Sequence, residues 1–364
     1  MSDTLMAPTI ETRLPVCLLT GFLGAGKSTL LNFVLRHPQM QGTAVVINEY
    51  GSVGIDHHLV ESAPDDTALI ANGCLCCTAR GELADALLGL FLRAQQHQVG
   101  LRRVVIETTG LAEPAPILQQ LLRHPQLVER FHVDSVVTVV DAFNAAETFD
   151  THDIAVQQVT AADVLLLTKT DLVAGSAADG LERRLAAMNP DALQARIVDG
   201  AAQAHHLFGG RHSRNAAGID MGALFANVDR IRFTPLQMPL GGLRAADTLR
   251  RTPGEQEIQT FSLIIDAPLA ASTFFGWLDF LRVLCGPTLL RLKGLVHIDG
   301  QAAPMVIHGV QKAFHPARQL DAWPDADRRT RLVFITRGWG QDVVASTLDY
   351  LRAAGRAPSS LQTP

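Results

Sequence analysis

The feature that most constrains the fold is a glycine-rich stretch that directly follows an apolar segment. Residues 15–21 read PVCLLTG, and residues 21–28 read GFLGAGKS. The second stretch has the G-x-x-x-x-G-K-[S/T] spacing of a loop that joins a buried strand to a helix. Glycines at these positions let backbone N–H groups curl around phosphate oxygens. We therefore predict a nucleotide phosphate site rather than a chance glycine-rich turn.

Two side chains of this loop have distinct expected roles. Lys27 would reach the β and γ phosphates, which makes it a candidate catalytic residue, and the Ser28 hydroxyl would ligate Mg²⁺. Glu107, the second candidate catalytic residue, ends the apolar run of VVIETTG, where its carboxylate would hold the Mg²⁺ or its water. Gly110 would sense a γ-phosphate through its backbone. The alternative for Glu107 is a solvated strand end. For Asp141, which closes VVTVVDA, a site role and simple strand termination stay equally open.

Apolar segments alternate with amphipathic helical patterns, such as 82–96 and 180–188, through the first 200 residues. Continuously apolar strands that alternate with helices indicate a parallel sheet covered on both faces. The first domain is therefore predicted to be a doubly wound, mostly parallel α/β domain of the P-loop NTPase type. The predicted strands are 15–21, 43–49, 68–72, 102–110, 135–142, 163–171 and 195–200.

A second, smaller α+β domain is predicted after a polar region. We place the first domain at 1–215, a connecting segment at 216–254 and the second domain at 255–356. The predicted order there is strand, helix, three strands and helix, with one of the three strands at 304–315 and a hairpin turn before it at Asp299-Gly300. The helix containing Phe274, Phe275 and Trp277 is expected to supply core aromatics, and Arg291 and Lys293 are expected on a solvated face; client recognition is the alternative.

Charge and hydropathy limit the partners. The net charge of −5 and the pI near 6.2 give no electrostatic reason to expect nucleic acid. The start lacks a basic segment followed by an apolar one, and no apolar run approaches the ~18 residues of a membrane span. We expect a cytoplasmic protein that binds neither nucleic acid nor membrane. No heptad pattern predicts self-association, so the oligomeric state stays open.

The segment LLLTKTDLV predicts which base is bound. The Asp171 carboxylate can accept hydrogen bonds from guanine N1 and N2, which adenine cannot supply, and the stem of Lys169 can lie along the base. Thr168 stands where the N-K-x-D element of GTPases has Asn, and it keeps a hydroxyl but lacks the amide. We predict a preference for GTP; a plain helix-leading Asp is the alternative.

Cys74, Cys76 and Cys77 crowd three thiols into the segment NGCLCCTARGEL. Adjacent Cys76 and Cys77 cannot point the same way from a regular strand or helix, so a loop must bring the three together. Three thiolates suit Zn²⁺ or Co²⁺ and leave a fourth tetrahedral position open, as a transferable metal requires. We predict a metal-transfer site for zinc, or for cobalt.

Two alternatives to metal transfer stay open at this cluster. Cys74 and Cys77 have the C-x-x-C spacing of a dithiol redox centre, and an inert buried cluster is the other possibility. Structural zinc normally takes four ligands, and no second C-x-x-C or H-x-x-H pair is present. Cys17 and Cys285 stand alone in apolar segments, where small buried thiols are common.

Together these segments resemble a known family. The motifs GFLGAGKSTLLN, NEYGSVGID, GCLCC, ETTGLAEPAPI, VVDA, TKTDLV, RLKG and HGVQ occur in the order found in CobW-type metallochaperone GTPases, relatives of UreG and HypB. The resemblance implies a GTPase domain with a C-x-C-C metal site, joined to a CobW C-terminal domain. It also implies a protein that delivers a transition metal to a client metalloprotein under control of GTP.

The resemblance assigns roles to particular residues. It places metal ligation at Cys74, Cys76 and Cys77, and it places Glu49 in the switch that links nucleotide to metal. Ser52 departs from the family, where a second acidic residue often follows the glycine, and the long His-rich stretch of some members is absent. The implied phosphate-binding residues are Gly21, Gly24, Ala25, Gly26, Lys27, Ser28 and Thr29.

The histidines are weaker metal candidates, because adjacent pairs are more often solvated surface than ligands. They are His57, His58, His205, His206 and His212.

Two other functions remain as alternatives to a metallochaperone. A small-molecule P-loop kinase would need an acceptor pocket and an Arg-rich lid, which the sequence lacks. A nucleotide-gated metal sensor would bind metal without passing it on.

Overall fold

The structure is a computed structural model that describes residues 13–48, 82–96, 100–198, 202, 204–208, 258–285 and 288–354. Its contacts divide the chain into two units, 1–220 and 221–364. The expected strand at 68–72 and the expected connecting segment at 216–254 lie outside the described residues. No described helix is long and apolar enough to cross a membrane.

Six parallel strands form the sheet of the first unit, in the order β2-β3-β1-β4-β5-β6. The predicted parallel α/β architecture is therefore confirmed. The strands are β1 (Leu14–Thr20), β2 (Thr43–Asn48), β3 (Arg103–Thr108), β4 (Phe131–Asp141), β5 (Val164–Thr168) and β6 (Leu193–Arg196). The helices are α1 (Lys27–Leu35), α2 (Glu82–Gln96), α3 (Pro114–Arg123), α4 (Pro125–Arg130), α5 (Ala145–Thr151), α6 (Asp153–Ala161), α7 (Gly175–Met188) and α8 (Ala204–Leu207).

The central strands are apolar throughout because the sheet is covered on both faces. Cys17 and Leu19 of β1 pack with Leu30 of α1 on one face. Leu18 and Ile106 point to the other face, since neighbouring strand residues alternate in direction, and they are equally buried. Helices contact this sheet along its length: α2 lies against β2, and α3, α6 and α8 lie against β4.

The strand order places the predicted site residues at one edge. Neighbours β3, β1, β4 and β5 run parallel, so the segments after Thr108, Thr20, Asp141 and Thr168 all emerge at their carboxyl ends. Open α/β sheets bind ligands at this edge. The hydroxyl of Thr108 donates to the hydroxyl of Thr20 across the β1–β3 boundary at 2.9 Å, which joins the first two of these strand ends.

The second unit is a mainly antiparallel sheet with two helices, as the sequence predicted. Its strands follow the order β10-β9-β8-β12-β7, and β11 pairs with β9. The strands are β7 (Ile258–Ile265), β8 (Leu289–Val296), β9 (Met305–Val310), β10 (Ala313–Phe314), β11 (Arg318–Gln319) and β12 (Thr330–Arg337), and the helices are α9 (Ala271–Leu284) and α10 (Gln341–Ala354). The hairpin between β8 and β9 contains Asp299-Gly300, with Gly300 at a φ of 75°.

Aromatic side chains build the core of this unit. Phe274 and Trp277 are fully buried, Phe275 packs against the same core, and the rings of Phe261 and Phe334 stack with centroids 5.3 Å apart. The expected core role of the α9 aromatics is confirmed.

Two expectations for the second unit were wrong. Segment 304–315 is not one strand: the chain turns at Gln311, whose φ is 50°, and β10 pairs back on β9. Arg291 and Lys293 are 1% and 6% exposed rather than solvated. Both lie in β8, a central strand between β9 and β12, where every residue is buried irrespective of its polarity.

We expect Trp277→Ala to destabilise the second unit by about 3–5 kcal/mol, because it opens a cavity in a filled aromatic core. It also removes the hydrogen bond from Trp277 Nε1 to Thr347 Oγ1 at 2.8 Å. Urea unfolding followed by circular dichroism measures the loss. Val283→Ala on the same helix is the control, because Val283 is 86% exposed and its truncation should cost under about 0.5 kcal/mol. Equal losses in the two variants would contradict this packing.

Candidate functional site

The phosphate loop has the backbone that its glycines predict. Gly24 and Gly26 have φ values of 71° and 92°, which residues with a Cβ rarely adopt. Helix α1 begins directly after Gly26, with no side-chain cap and no acidic residue in its first turn. An uncapped helix start of this kind favours an anion, because its first N–H groups lack partners within the helix. Thr29 is exposed in that first turn.

Lys27 is buried inside the loop. Its ammonium donates to the carbonyl of Gly21 at 2.8 Å and to the carbonyl of Phe22 at 3.2 Å. The side chain therefore closes the loop onto its own start and holds a positive charge within it.

Ser28 and Glu107 meet beside the loop. The Ser28 hydroxyl, in the first turn of α1, donates to Oε1 of Glu107, near the end of β3, at 2.9 Å. A hydroxyl and a carboxylate are both hard oxygen donors, the type of ligand that Mg²⁺ takes in nucleotide sites. The two residues therefore fit the ion that the sequence assigned to them.

Gly110 lies directly against the phosphate loop. A Cβ at this position would collide with the backbone N of Leu23 and would approach the Leu23 Cα to 2.6 Å. Only glycine allows this contact without a shift of one of the two segments. The segment after β3 and the phosphate loop are therefore in direct contact, so a displacement of one would displace the other.

The predicted base-binding segment is tied to the same loop. The Thr168 hydroxyl donates to the carbonyl of Ala25 at 2.8 Å and approaches the carbonyl of Val140 at 3.2 Å. Lys169 follows at a φ of 56°, and Asp171 is exposed in a short 3-10 turn, Thr170–Leu172. The hydroxyl of Thr168 therefore makes a bond to the phosphate loop that needs no amide.

Asp141, whose role the sequence left open, holds Lys169. Its Oδ2 accepts from the Lys169 ammonium at 2.6 Å and from Asn144 Nδ2 at 2.8 Å, and its Oδ1 accepts from the backbone of Phe143 at 2.9 Å. Burial alone would raise the pKa of Asp141, but the hydrogen bonds from Lys169 and Asn144 outweigh it and lower that pKa. The carboxylate therefore contributes its full stabilisation above about pH 4, and this is lost as the pH falls through the lowered pKa.

Comparison with known protein families decides what this arrangement belongs to. Residues 15–196 match the CobW/HypB/UreG nucleotide-binding domain, and residues 258–352 match the cobalamin synthesis protein CobW C-terminal domain. The chain belongs to the CobW/HypB/UreG family. The family resemblance drawn from the motifs is confirmed.

Several relatives of this CobW/HypB/UreG family member match along most of its length. It is 34% identical to the zinc chaperone YjiA of Escherichia coli, over 88% of this chain and 93% of that protein. It is 29% identical to the zinc chaperone CobW of Pseudomonas aeruginosa, over 92% of this chain and 91% of that protein. The crystal structure of the Zn(II)-bound YjiA GTPase from Escherichia coli matches with a TM-score of 0.66 and 30% identity, over 93% of this chain and 99% of that one.

The metal-ligand candidates of this family member fall largely outside the described residues. These are Cys74, Cys76, Cys77, Glu49, His57, His58 and His212. Within the described residues no group of three or more His, Cys, Asp or Glu side chains could hold a metal. His205 and His206 lie on α8 with ring centroids 4.3 Å apart, and burial, followed by the charge of His205, lowers the pKa of His206.

The two isolated cysteines are buried, as expected. Burial raises the pKa of Cys285 to about 12 and raises the pKa of Cys17 still further above its ordinary value. Both thiols stay protonated at neutral pH, whereas a metal ligand must be a thiolate. Neither therefore competes for a thiophilic ion.

We expect Asp141→Asn to weaken GTP and GDP binding equally, by about tenfold, because it removes the charge-assisted bond that holds Lys169, whose stem is predicted to lie along the base. Isothermal titration with each nucleotide measures both affinities. The control is Asp150→Asn, since the Asp150 side chain is 67% exposed in its ion pair with Arg184. A loss confined to GTP, or an equal loss in the control, would show that Asp141 does not act through the base.

Proposed function

We propose that this protein is a GTP-binding and GTP-hydrolysing metallochaperone. It would bind zinc, or cobalt, at Cys74, Cys76 and Cys77 and pass the metal to a client metalloprotein under control of the bound nucleotide. Family membership supports a P-loop GTPase, and the relatives named zinc chaperones support zinc as the cargo.

One observation carries the nucleotide part of this proposal. Three pairs converge at the carboxyl edge of one sheet: Lys27 with the carbonyls of its own loop, Ser28 with Glu107, and Lys169 with Asp141. They provide a cation for phosphates, an oxygen pair for Mg²⁺ and a fixed lysine stem for a base. The exposed Asp171 would then read guanine through its N1 and N2 hydrogens.

The proposed mechanism divides the work among residues of this chain. Lys27 would bind the β and γ phosphates, and Ser28 and Glu107 would hold Mg²⁺, which supplies positive charge against the triphosphate when bound. Gly110 would sense the γ-phosphate through its backbone N–H. Glu49 would belong to a switch segment that GTP orders and hydrolysis relaxes, so that the affinity of the three thiolates for metal follows the nucleotide state.

The decisive experiment is a zinc titration against a chromophoric chelator. It is run with Mg²⁺ and a non-hydrolysable GTP analogue, and again with Mg²⁺ and GDP. We expect zinc affinity to be at least tenfold higher with the analogue, about 1.4 kcal/mol of coupling, and this gain to vanish in Cys76→Ser, Cys77→Ser. Because coupling is reciprocal, zinc should tighten binding of the analogue by the same factor.

Cys285→Ala is the matched control for the loss of a thiol. Its buried, protonated thiol should contribute nothing to zinc binding. Zinc affinity that ignores the nucleotide would refute gating. Zinc retained after complete hydrolysis, with a competent apo-acceptor present, would indicate a sensor, and a phosphorylated small-molecule acceptor would indicate a kinase.

We further expect Glu107→Gln to slow GTP hydrolysis by about a hundredfold, because it removes the charge opposite Mg²⁺ while keeping an oxygen for the Ser28 hydroxyl. Phosphate release at varied Mg²⁺ measures the rate. Glu129→Gln is the control, because the Glu129 side chain is 63% exposed and paired with Arg130. Hydrolysis that remains at the parental rate in Glu107→Gln would remove Glu107 from the site.

A further inference from the structure

A buried amide on helix α6 holds the segment after β3. Gln158 is 1% exposed, and its Nε2 donates to the carbonyl of Gly110 at 3.1 Å and to the carbonyl of Ala112 at 3.2 Å. Both acceptors are backbone oxygens, so the bonds depend on the course of the chain there. Nothing in the sequence around Gln158 points to this contact, which joins residues 46 and 48 positions apart.

The same segment forms a turn in which the carbonyls of Thr109, Gly110 and Ala112 each accept a hydrogen bond. The N–H of Ala112 donates to the carbonyl of Thr109 at 3.1 Å, which closes a turn over Gly110. In a trans peptide the N–H points opposite to the carbonyl of the same unit. The N–H of Gly110 shares its peptide unit with the Thr109 carbonyl and therefore points away from the interior of the turn. Gln158 bonds the carbonyls of Gly110 and Ala112, which belong to the peptide units that follow, and so holds the turn that orients the Gly110 N–H against α6.

Helix α6, which carries Gln158, is held in place by contacts with the phosphate loop, with β4 and with Asn189. The ring of His152, immediately before α6, stacks on Phe22 of the phosphate loop with centroids 4.6 Å apart. The hydroxyl of Thr138 in β4 donates to the carbonyl of Gln158 at 2.7 Å. At the far end, Asn189 Nδ2 donates to the carbonyls of Val159 and Ala162 at 2.8 and 2.9 Å. Gln158 is thus mounted on a helix fixed to both the sheet and the phosphate loop.

The amide oxygen of Gln158 is evidence that the side chain does more than fill space in the core. Gln158 Oε1 is buried and has no hydrogen-bond partner among the described residues. Burying an unpaired carbonyl oxygen is unfavourable, and an apolar side chain of similar length would avoid that cost. The two hydrogen bonds that Gln158 Nε2 donates to the carbonyls of Gly110 and Ala112 are therefore the reason for an amide at this position.

We propose that Gln158 is a positioning residue that sets the Gly110 N–H to respond to the γ-phosphate. The inference rests on the proposed function, because Gly110 has a γ-phosphate to sense only if GTP is the ligand. Gln158 acts through the turn and does not touch the nucleotide. Its loss should therefore affect binding of a nucleoside triphosphate and spare the diphosphate, which lacks the sensed group.

The test is Gln158→Met, which keeps the length of the side chain and removes the donor. Gln158 lines a cavity of about 30 Å³ together with Phe22 and Thr138, which leaves room for a thioether. In the full-length protein with Mg²⁺ and without zinc, we expect affinity for a non-hydrolysable GTP analogue to fall at least tenfold. Affinity for GDP should change less than twofold, and KM for GTP should rise.

The matched control is Gln157→Met, the same chemical change one position earlier on the half-buried side of α6. It should leave both affinities unchanged. Gln158→Asn is one methylene too short to reach both carbonyls, so it should also lose affinity for the analogue while keeping affinity for GDP. This variant replaces Gln158→Met in the test if the Met variant does not fold. Equal losses for analogue and GDP, no loss for either, or failure of both variants to fold would overturn the proposal.

The two proposals fail in different ways. If parental protein binds the analogue and GDP but its zinc affinity ignores both, metal gating fails while the selectivity of Gln158 can still be measured. If zinc affinity follows the nucleotide in parental protein and Gln158→Met leaves binding of the analogue intact, only the role of Gln158 is lost.

Discussion

Parallel pairing of four strands is the constraint on which the candidate site depends. β1 pairs with β3 and β4, and β4 pairs with β5, so four chain segments distant in sequence end at one edge of the sheet. The hydroxyl bond between Thr20 and Thr108 holds two of these ends at the point where the phosphate loop begins. Strand pairing sets the spacing of the strand ends to a few ångströms, and the side chains that follow inherit it. The geometry of the candidate site therefore follows from the pairing of the strands.

Polar side chains then bind the loops to one another, each through backbone carbonyls. Lys27 bonds carbonyls of its own loop, Thr168 bonds the carbonyl of Ala25, and Gln158 bonds the turn at Gly110. Bonds of this kind fix the path of the chain without requiring a particular side chain at the acceptor position. The Lys169–Asp141 pair differs, because it depends on both side chains, and loss of Lys169 would leave the largely buried Asp141 carboxylate without its cation.

Much of this could be predicted from the sequence, and what escaped had a physical reason. The glycine conformations of the loop at 21–28, the place of Glu107 near the end of β3 and the parallel sheet were predictable, because glycine spacing and apolar runs are local signals. The pairing of Asp141 with Lys169 was not predictable, because the sequence around a strand-terminal carboxylate is the same whether that carboxylate is solvated or paired. The burial of Arg291 and Lys293 depends on their place in a central strand, which local charge does not encode. The turn at Gln311 was missed because a non-glycine residue at positive φ carries no sequence signature.

Replacement of an amide by a hydroxyl at Thr168 limits how the site can evolve. A single proton on Oγ1 serves the carbonyls of Ala25 and Val140, so serine could take over this contact, whereas valine, although of the same shape, could not. That proton joins the predicted base-binding segment to the phosphate loop. Substitutions that reshape this segment and change the preferred nucleobase would therefore also change the affinity of the loop for phosphate. If the two segments bind base and phosphates as predicted, changes in base preference and in phosphate affinity are expected to occur together.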